Sequence, residues 1–139
     1  MDSASLLPAA HAGATLFMTG VIWFVQVVHY PLFARTGAAG FADYERDHAR
    51  RTGWVVGPAM MLELLLALAL AARGGMAAWA GLALLAVIWL STALVQVPLH
   101  RRLQGGFDAA AHRRLVRTNW LRTAAWTLRA ALALRLAAG

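Results

Sequence analysis

Residues 21–33 read VIWFVQVVHYPLF, an apolar stretch that is interrupted by three polar side chains and closed by a proline. Gln26, His29 and Tyr30 stand at positions i, i+3 and i+4, so we expect them to share one face of a helix. Residues 87–100 read VIWLSTALVQVPLH and end on a similar glutamine, proline and histidine in a different order. The pattern predicts apolar helices whose polar side chains gather near one end.

The composition is that of a membrane protein. The chain has 139 residues, of which 60% are hydrophobic and 14% charged, and its mean hydropathy is +0.58. Four apolar segments, each near the roughly 20 residues that cross a bilayer as a helix, are expected at residues 12–34, 54–73, 76–99 and 119–137. We therefore predict an all-α fold, an integral membrane four-helix bundle formed by residues 1–139 as one domain, in preference to a soluble bundle.

Two short surface helices are expected on the cytoplasmic side of this bundle. In residues 36–53, Tyr44, His48 and Arg51 recur every three or four residues, which indicates an amphipathic helix before Trp54 opens the second span. Residues 108–117 are expected to form the other surface helix, with Asp108 as its N-cap. Both helices would lie on the membrane surface.

The arginines predict the orientation. The formal net charge is +7, and the chain contains neither lysine nor cysteine, so disulfides and thiolate metal sites are excluded. By the positive-inside rule the arginine-rich loops are cytoplasmic and both termini face outward in a bacterial-type inner membrane, so nucleic acid is not needed as a partner. The arginines assigned to the cytoplasmic side are Arg35, Arg46, Arg50, Arg51, Arg101, Arg102, Arg113, Arg114, Arg117 and Arg122.

Glu63 and Arg129 are expected at one depth. Each lies nine residues beyond the tryptophan, Trp54 or Trp120, that opens its span, which corresponds to ~13–14 Å at ~1.5 Å per residue. An ionised side chain at this depth costs about 2.5–3.5 kcal/mol, so it should face the interior and have a partner. Two interpretations remain open, a structural Glu63–Arg129 bridge and a catalytic or ligand-binding Glu63.

Polar side chains of all four spans are predicted to converge, because none gains from facing lipid. The predicted catalytic residues are His29, Glu63, Arg122, Gln26 and Gln96. The predicted substrate contacts are Tyr30, Tyr44, Trp89, Asn119, Trp126 and Arg129. Interhelical hydrogen bonding alone remains an alternative role for the glutamines, as does core packing for the deeper tryptophans.

A metal site is one hypothesis for this polar region. His29, His48, His100 and Glu63 offer nitrogen and oxygen ligands that suit iron, copper or zinc. Haem held between His29 and His100 is a second option. A site without a cofactor is a third, in which a histidine acts as base and Arg122 or a glutamine stabilises an oxyanion.

The first span ends in Gln26…His29-Tyr30-Pro31, and residues 97–103 (VPLHRRL) are followed by residues 119–126 (NWLRTAAW). In this layout the chain resembles the anthrone oxygenase-like family of small four-helix membrane proteins. Members carry Val-Pro-x-Asn-x-x-Leu before the last helix and Asn-x-x-Arg near its start. The second motif matches Asn119 and Arg122. His100 departs from the first, which leaves open a metal site that the family lacks.

The resemblance implies oxidation of an electron-rich aromatic compound by O2, with Arg122 and Asn119 near the substrate. We therefore expect a membrane-embedded oxidoreductase or oxygenase that acts on a small aromatic or lipophilic substrate in a polar pocket open to the cytoplasm. The alternative is a non-enzymatic protein, either a small-ligand binder or a subunit of a larger membrane complex. Membrane lipid and a small-molecule substrate are the expected partners, and homo-oligomerisation stays open.

Overall fold

Four long helices make up the computed structural model, which describes residues 3–139, with side chains from Leu6 onward. Helix α1 is regular over Ser3–Phe24, widens into a π turn over Val25–His29, and ends with Tyr30–Leu32 and the 3-10 turn Phe33–Arg35. After a 3-10 turn at Ala38–Gly40, α2 covers Phe41–Ala72, α3 covers Met76–Leu103 and α4 covers Ala109–Ala137. Residues 3–139 contain no strand, so the all-α prediction is confirmed.

Both of the stretches quoted from the sequence contain a π turn just before their proline. Val25–His29 precedes Pro31 in α1, and Thr92–Gln96 precedes Pro98 in α3. Proline lacks an N–H group and its ring collides with the carbonyl four residues earlier, and a widened turn relieves both problems. Gln26, His29 and Tyr30, which lie in and beside the first π turn, reach three different helices, α4, α2 and α3 respectively.

The prediction of two separate surface helices is wrong. Residues 41–53 are the first turns of α2, which continues through Gly53 and Pro58 without a break, and residues 109–118 are the first turns of α4. A glycine costs a helix only about 1 kcal/mol, and the fully buried Phe41 and Leu115 pack these extra turns against the end of the bundle. The spans and the expected surface helices are therefore continuous rods.

The predicted N-cap of the last helix is confirmed. The Oδ1 atom of Asp108 accepts hydrogen bonds from the backbone N–H groups of Ala110 and Ala111, both at 2.9 Å. The same side chain forms an ion pair with Arg102 at the end of α3. The cap therefore fixes both the start of α4 and its distance from α3.

The helices form a ring in which each packs against its neighbours in the chain and α4 packs against α1. One apolar cluster fills the middle of the bundle around Met18, Leu85, Ile88 and Trp126. A second cluster lies around Phe33 at the end where α1 finishes and where α2 and α4 begin. We call this end, which holds most of the arginines, the arginine-rich end.

The exterior of the bundle is apolar and much of its polar surface is inside. Phe24, Leu65 and Leu94 expose 58%, 60% and 71% of their surface, which would be unfavourable in water. Helices α1, α2 and α3 are long and apolar enough to cross a membrane, whereas α4, with six arginines, is not among them. Length and composition therefore fit membrane crossing for three of the four helices.

A buried ion pair ties the four helices together. Arg129 of α4 binds the carboxylate of Glu63 of α2, so the predicted pairing is confirmed. Thr15 of α1 donates to the same carboxylate, and His11 of α1 lies 3.6 Å from it. Arg129 also donates to the backbone carbonyl of Gly81 in α3. Each helix thus contributes one or more groups to a polar cluster inside an apolar bundle.

Removing one member of this pair should destabilise the bundle strongly. Glu63→Leu leaves Arg129 buried without a counter-charge, so we expect a loss of about 3–5 kcal/mol in the free energy of unfolding. The double variant Glu63→Leu/Arg129→Met should recover most of that loss, because no charge remains buried. Denaturant unfolding in detergent micelles measures both values, and equal stability of Glu63→Leu and wild type would contradict a structural role for the pair.

Candidate functional site

A network of buried polar groups links α1 to α4 between the ion pair and the arginine-rich end. Asn119 donates from Nδ2 to Oε1 of Gln26 at 2.9 Å, and Gln26 donates to the backbone carbonyl of Val116 at 3.2 Å. Arg122 donates from Nη1 to Oδ1 of Asn119 at 3.0 Å and interacts electrostatically with the hydroxyl of Tyr30. The structure therefore brings four of the residues predicted to form the site into one polar network.

Tyr30 extends this network to a histidine and a carboxylate. Its hydroxyl lies 2.9 Å from Nε2 of His100 in α3, and Nδ1 of His100 lies 2.5 Å from Oε1 of Glu45 in α2. Glu45 is completely buried, and its second oxygen, Oε2, has no hydrogen-bond partner among the described residues. A carboxylate in this position needs further compensation.

His29 and His48 form the other half of the polar end. Nε2 of His29 lies 2.7 Å from Nδ1 of His48, which also lies 3.1 Å from the hydroxyl of Thr52. The ring of Phe33 contacts both imidazoles edge-on, with centroid distances of 5.1 Å. The His48 and His100 rings are 5.4 Å apart, so the two histidine groups adjoin.

Three side chains of this cluster are arranged so that they could hold a metal ion. Glu45, His48 and His100 each offer one ligand atom, and the three atoms lie within 4.8 Å of one another. Glu63, which we predicted as a metal ligand, is engaged instead with Arg129 and Thr15 in the ion-pair cluster. Of the predicted ligands, the structure thus brings His48 and His100 together with Glu45, while the roles of His29 and Glu63 as metal ligands stay predictions.

Sequence reasoning missed Glu45, although a signal for it exists. Glu45 and His48 form a Glu-x-x-His pair, a spacing that places both side chains on one face of a helix and that metal sites in helical bundles use. The sequence predicts an amphipathic helix on the membrane surface here, and a carboxylate on the water-facing side of such a helix needs no partner. Because the segment is part of α2 and packs on the bundle, Glu45 is buried instead.

Two cavities meet at His48. The first, of about 560 Å³, lies between α1 and α2 and is lined by His29, Tyr44 and His48 together with apolar side chains. The second, of about 420 Å³, is lined by groups from all four helices. These include Tyr30, His48, Trp89, Gln96, His100 and Arg122. Three of the six residues predicted to contact a substrate, Tyr30, Tyr44 and Trp89, therefore line one of the two cavities.

The remaining predicted residues lie deeper. Trp126 is fully buried in the central apolar cluster, and its ring contacts the guanidinium of Arg129 at 5.6 Å. Neither residue lines one of the two cavities. The structure thus places Trp126 beside the ion pair to which Arg129 belongs, and their predicted role in substrate contact stays a prediction.

The second cavity has an electrostatic requirement. Arg122 exposes only 6% of its surface, and its two neighbours Asn119 and Tyr30 are neutral. None of the ion pairs in residues 3–139 supplies it with a carboxylate. Nε of Arg122, Oε1 of Gln96 and Nε1 of Trp89 are buried polar atoms that have no hydrogen-bond partner among the described residues. The cavity wall therefore contains a positive charge that the described residues leave unbalanced.

The hydroxyl of Tyr30 should contribute to stability through His100. Tyr30→Phe removes the hydrogen bond to His100 and should lower the free energy of unfolding by about 1 kcal/mol. The chain has only two tyrosines, and Tyr44→Phe is the matched control, because the Tyr44 hydroxyl has no hydrogen bond to the described residues and should be dispensable. Thermal unfolding in micelles measures the difference, and equal midpoints for the two variants would contradict the Tyr30–His100 contact.

Comparison with known proteins does not identify a family for this chain. No protein-family model, no curated protein and no solved structure matches this chain. The resemblance to the anthrone oxygenase-like family therefore stays a prediction. The polar end of the bundle and its two cavities are the features of the structure that bear on its chemistry.

Proposed function

We propose that all four helices span a membrane, with the arginine-rich end in the cytoplasm and both termini on the outer side of a bacterial-type inner membrane. The apolar exterior of α1, α2 and α3 supports this placement. For α4, the two deepest arginines, Arg122 and Arg129, are buried inside the bundle, so they would not contact lipid. The arginines of the loops would then follow the positive-inside rule.

Cysteine labelling can test this topology, because the chain contains no cysteine. In a bacterial cell, Met76→Cys, at the exposed first residue of α3, should react with a membrane-impermeant maleimide from outside. Ala39→Cys, in the turn before α2, should react only after the membrane is permeabilised. The opposite pattern would contradict the orientation, and labelling of both in intact cells would contradict membrane crossing.

The second cavity is suited to a small lipophilic anion. Its walls combine apolar side chains with the buried guanidinium of Arg122. A buried charge without a counter-charge is costly, and a ligand that carries a deprotonated oxygen on an apolar ring system would offset this cost. An aromatic body fits beside Trp89 and Met60 in a cavity of about 420 Å³, and small-molecule sites commonly have this size.

The reaction we propose is oxidation of a hydroxylated aromatic compound by O2. A hydroquinone loses two electrons and two protons to become a quinone, and O2 accepts them as hydrogen peroxide. Arg122 would bind the anionic ring oxygen, and the ring would extend toward His48 and His100, which line the same cavity. This oxidoreductase activity agrees with the expectation from the resemblance to the anthrone oxygenase-like family. The observation that carries the proposal is the unbalanced Arg122 on a cavity that reaches two histidines.

Arg122→Gln should weaken binding of an anionic ligand. Charge-assisted hydrogen bonds contribute roughly 1.5–3 kcal/mol, so we expect Kd for 2-naphthoate to rise about 10–100-fold, with little change for neutral 2-methylnaphthalene. Tryptophan fluorescence of protein in nanodiscs measures the binding. Oxygen uptake with 2-methyl-1,4-naphthohydroquinone, above the protein-free rate, should fall in parallel. Arg114→Gln, an exposed arginine on the same helix, is the matched control and should change neither value.

Asn119 permits a sharper comparison. Asn119→Asp places a carboxylate where Oδ1 of Asn119 now accepts from Arg122 at 3.0 Å, so it should balance the charge and weaken 2-naphthoate binding more than Asn119→Ala does. Equal effects of the two substitutions would contradict the electrostatic argument. Binding without any oxygen uptake by wild-type protein would contradict the oxidoreductase and favour the non-enzymatic ligand binder.

A further inference from the structure

The buried carboxylate of Glu45 is not paired with an arginine of the described residues. Arginines are abundant at this end of the bundle, but Arg46 pairs with Asp43, Arg50 with Asp47, and Arg102 with Asp108. Within residues 3–139, Glu45 forms an ion pair only with His100, and its Oε2 has no partner. A fully buried carboxylate normally has all of its oxygens satisfied, so this one has capacity left for another positive group.

The hydrogen bonds of the two histidines leave particular nitrogens for a ligand. Nδ1 of His48 is engaged by His29 and Thr52 at 2.7 and 3.1 Å, which leaves Nε2. Nε2 of His100 is engaged by Tyr30 at 2.9 Å, which leaves Nδ1 facing Glu45. In metal sites the ring nitrogen that does not bind the ion is held by such a partner, which fixes the tautomer and the ring orientation. Both histidines have this arrangement already.

We propose that Glu45, His48 and His100 bind one divalent transition-metal ion. Their ligand atoms lie within 4.8 Å of one another, and a dication would balance the carboxylate and occupy the place of the proton that Glu45 and His100 now share. Imidazole ligands favour first-row transition metals over magnesium and calcium. Because His48 and His100 also line the second cavity, one side of the ion would face the space in which a substrate can bind.

Iron is the metal that this set favours. Two histidines and one carboxylate with open positions are the ligands of non-haem Fe(II) oxygenases, although zinc enzymes also use this combination. A closed-shell anion does not readily transfer electrons directly to triplet O2. A bound Fe(II) ion would mediate this transfer. The choice of iron over zinc rests on the proposed oxidoreductase function, whereas binding of a divalent ion does not.

His29 is assigned a positioning role behind His48. It contacts Nδ1 of His48 at 2.7 Å and is not a member of the group whose ligand atoms come together. Its removal should therefore weaken metal binding without abolishing it, since substitution of such outer partners typically costs 10–100-fold in metal affinity. The metal affinity of a His29 variant therefore distinguishes a site with Glu45, His48 and His100 as ligands from a site in which His29 itself binds the ion.

Titration of chelator-treated, full-length protein with Co(II) tests the proposal without any substrate. Wild type should bind one equivalent and develop a visible d–d absorption band. Glu45→Gln and His48→Gln should each raise Kd by about 100-fold or more, and His29→Ala by roughly 10-fold. Asp43→Asn is the matched control, because it removes an exposed carboxylate two residues from Glu45 on the same helix, and its titration should be the same as that of wild type.

Circular dichroism of each variant establishes that it is folded, and the half-buried His48 provides the test if Glu45→Gln does not fold. Folded wild-type protein that binds less than a tenth of an equivalent of Co(II), or a folded His48→Gln variant that binds like wild type, would overturn the site. Failure of the metal site and of the proposed function can be told apart. Metal binding without hydroquinone oxidation refutes only the function, and oxidation by protein that binds no Co(II) refutes only the metal site.

Discussion

The buried pair of Glu63 and Arg129 is the constraint on which the rest of the bundle depends. Either charge alone would be far more costly in the interior than the two together, so α2 and α4 can associate favourably in only one register. Thr15 and His11 of α1 and the carbonyl of Gly81 in α3 make further hydrogen bonds to the pair. All four helices are therefore fixed at one level, and the cavities toward the arginine-rich end are positioned relative to it.

Arg122 and Arg129 lie seven residues apart on α4, which is close to two helical turns, so both face the interior. Arg129 has a carboxylate partner and Arg122 has only neutral ones. The same residue type on the same face thus meets two different requirements. Arg129, whose charge is balanced, fixes the helices relative to one another. The unbalanced charge of Arg122 at the cavity wall would be stabilised by an anionic ligand. The contrast indicates why a ligand belongs near Arg122 and not near Arg129.

Much of the interior could be predicted from the sequence, because an apolar bundle leaves a polar side chain few places to go. Counting residues from the start of each span paired Glu63 with Arg129, and helical spacing placed Asn119 and Arg122 on one face of α4. Glu45 could not be found in this way. Its neighbours are charged residues typical of a solvated surface, and only the packing of Phe41 against the end of the bundle makes the first turns of α2 part of the core. Tertiary contacts, not local pattern, decided that segment.

The two prolines explain why the polar groups come together at this level. Pro31 and Pro98 each follow a π turn, and a π turn changes the direction of the side chains that come after it relative to the helix before it. Tyr30 and His100, which follow the two turns, meet across the bundle at 2.9 Å. Two such turns on facing helices therefore place the Tyr30–His100 contact beside the cavity that Arg122 lines.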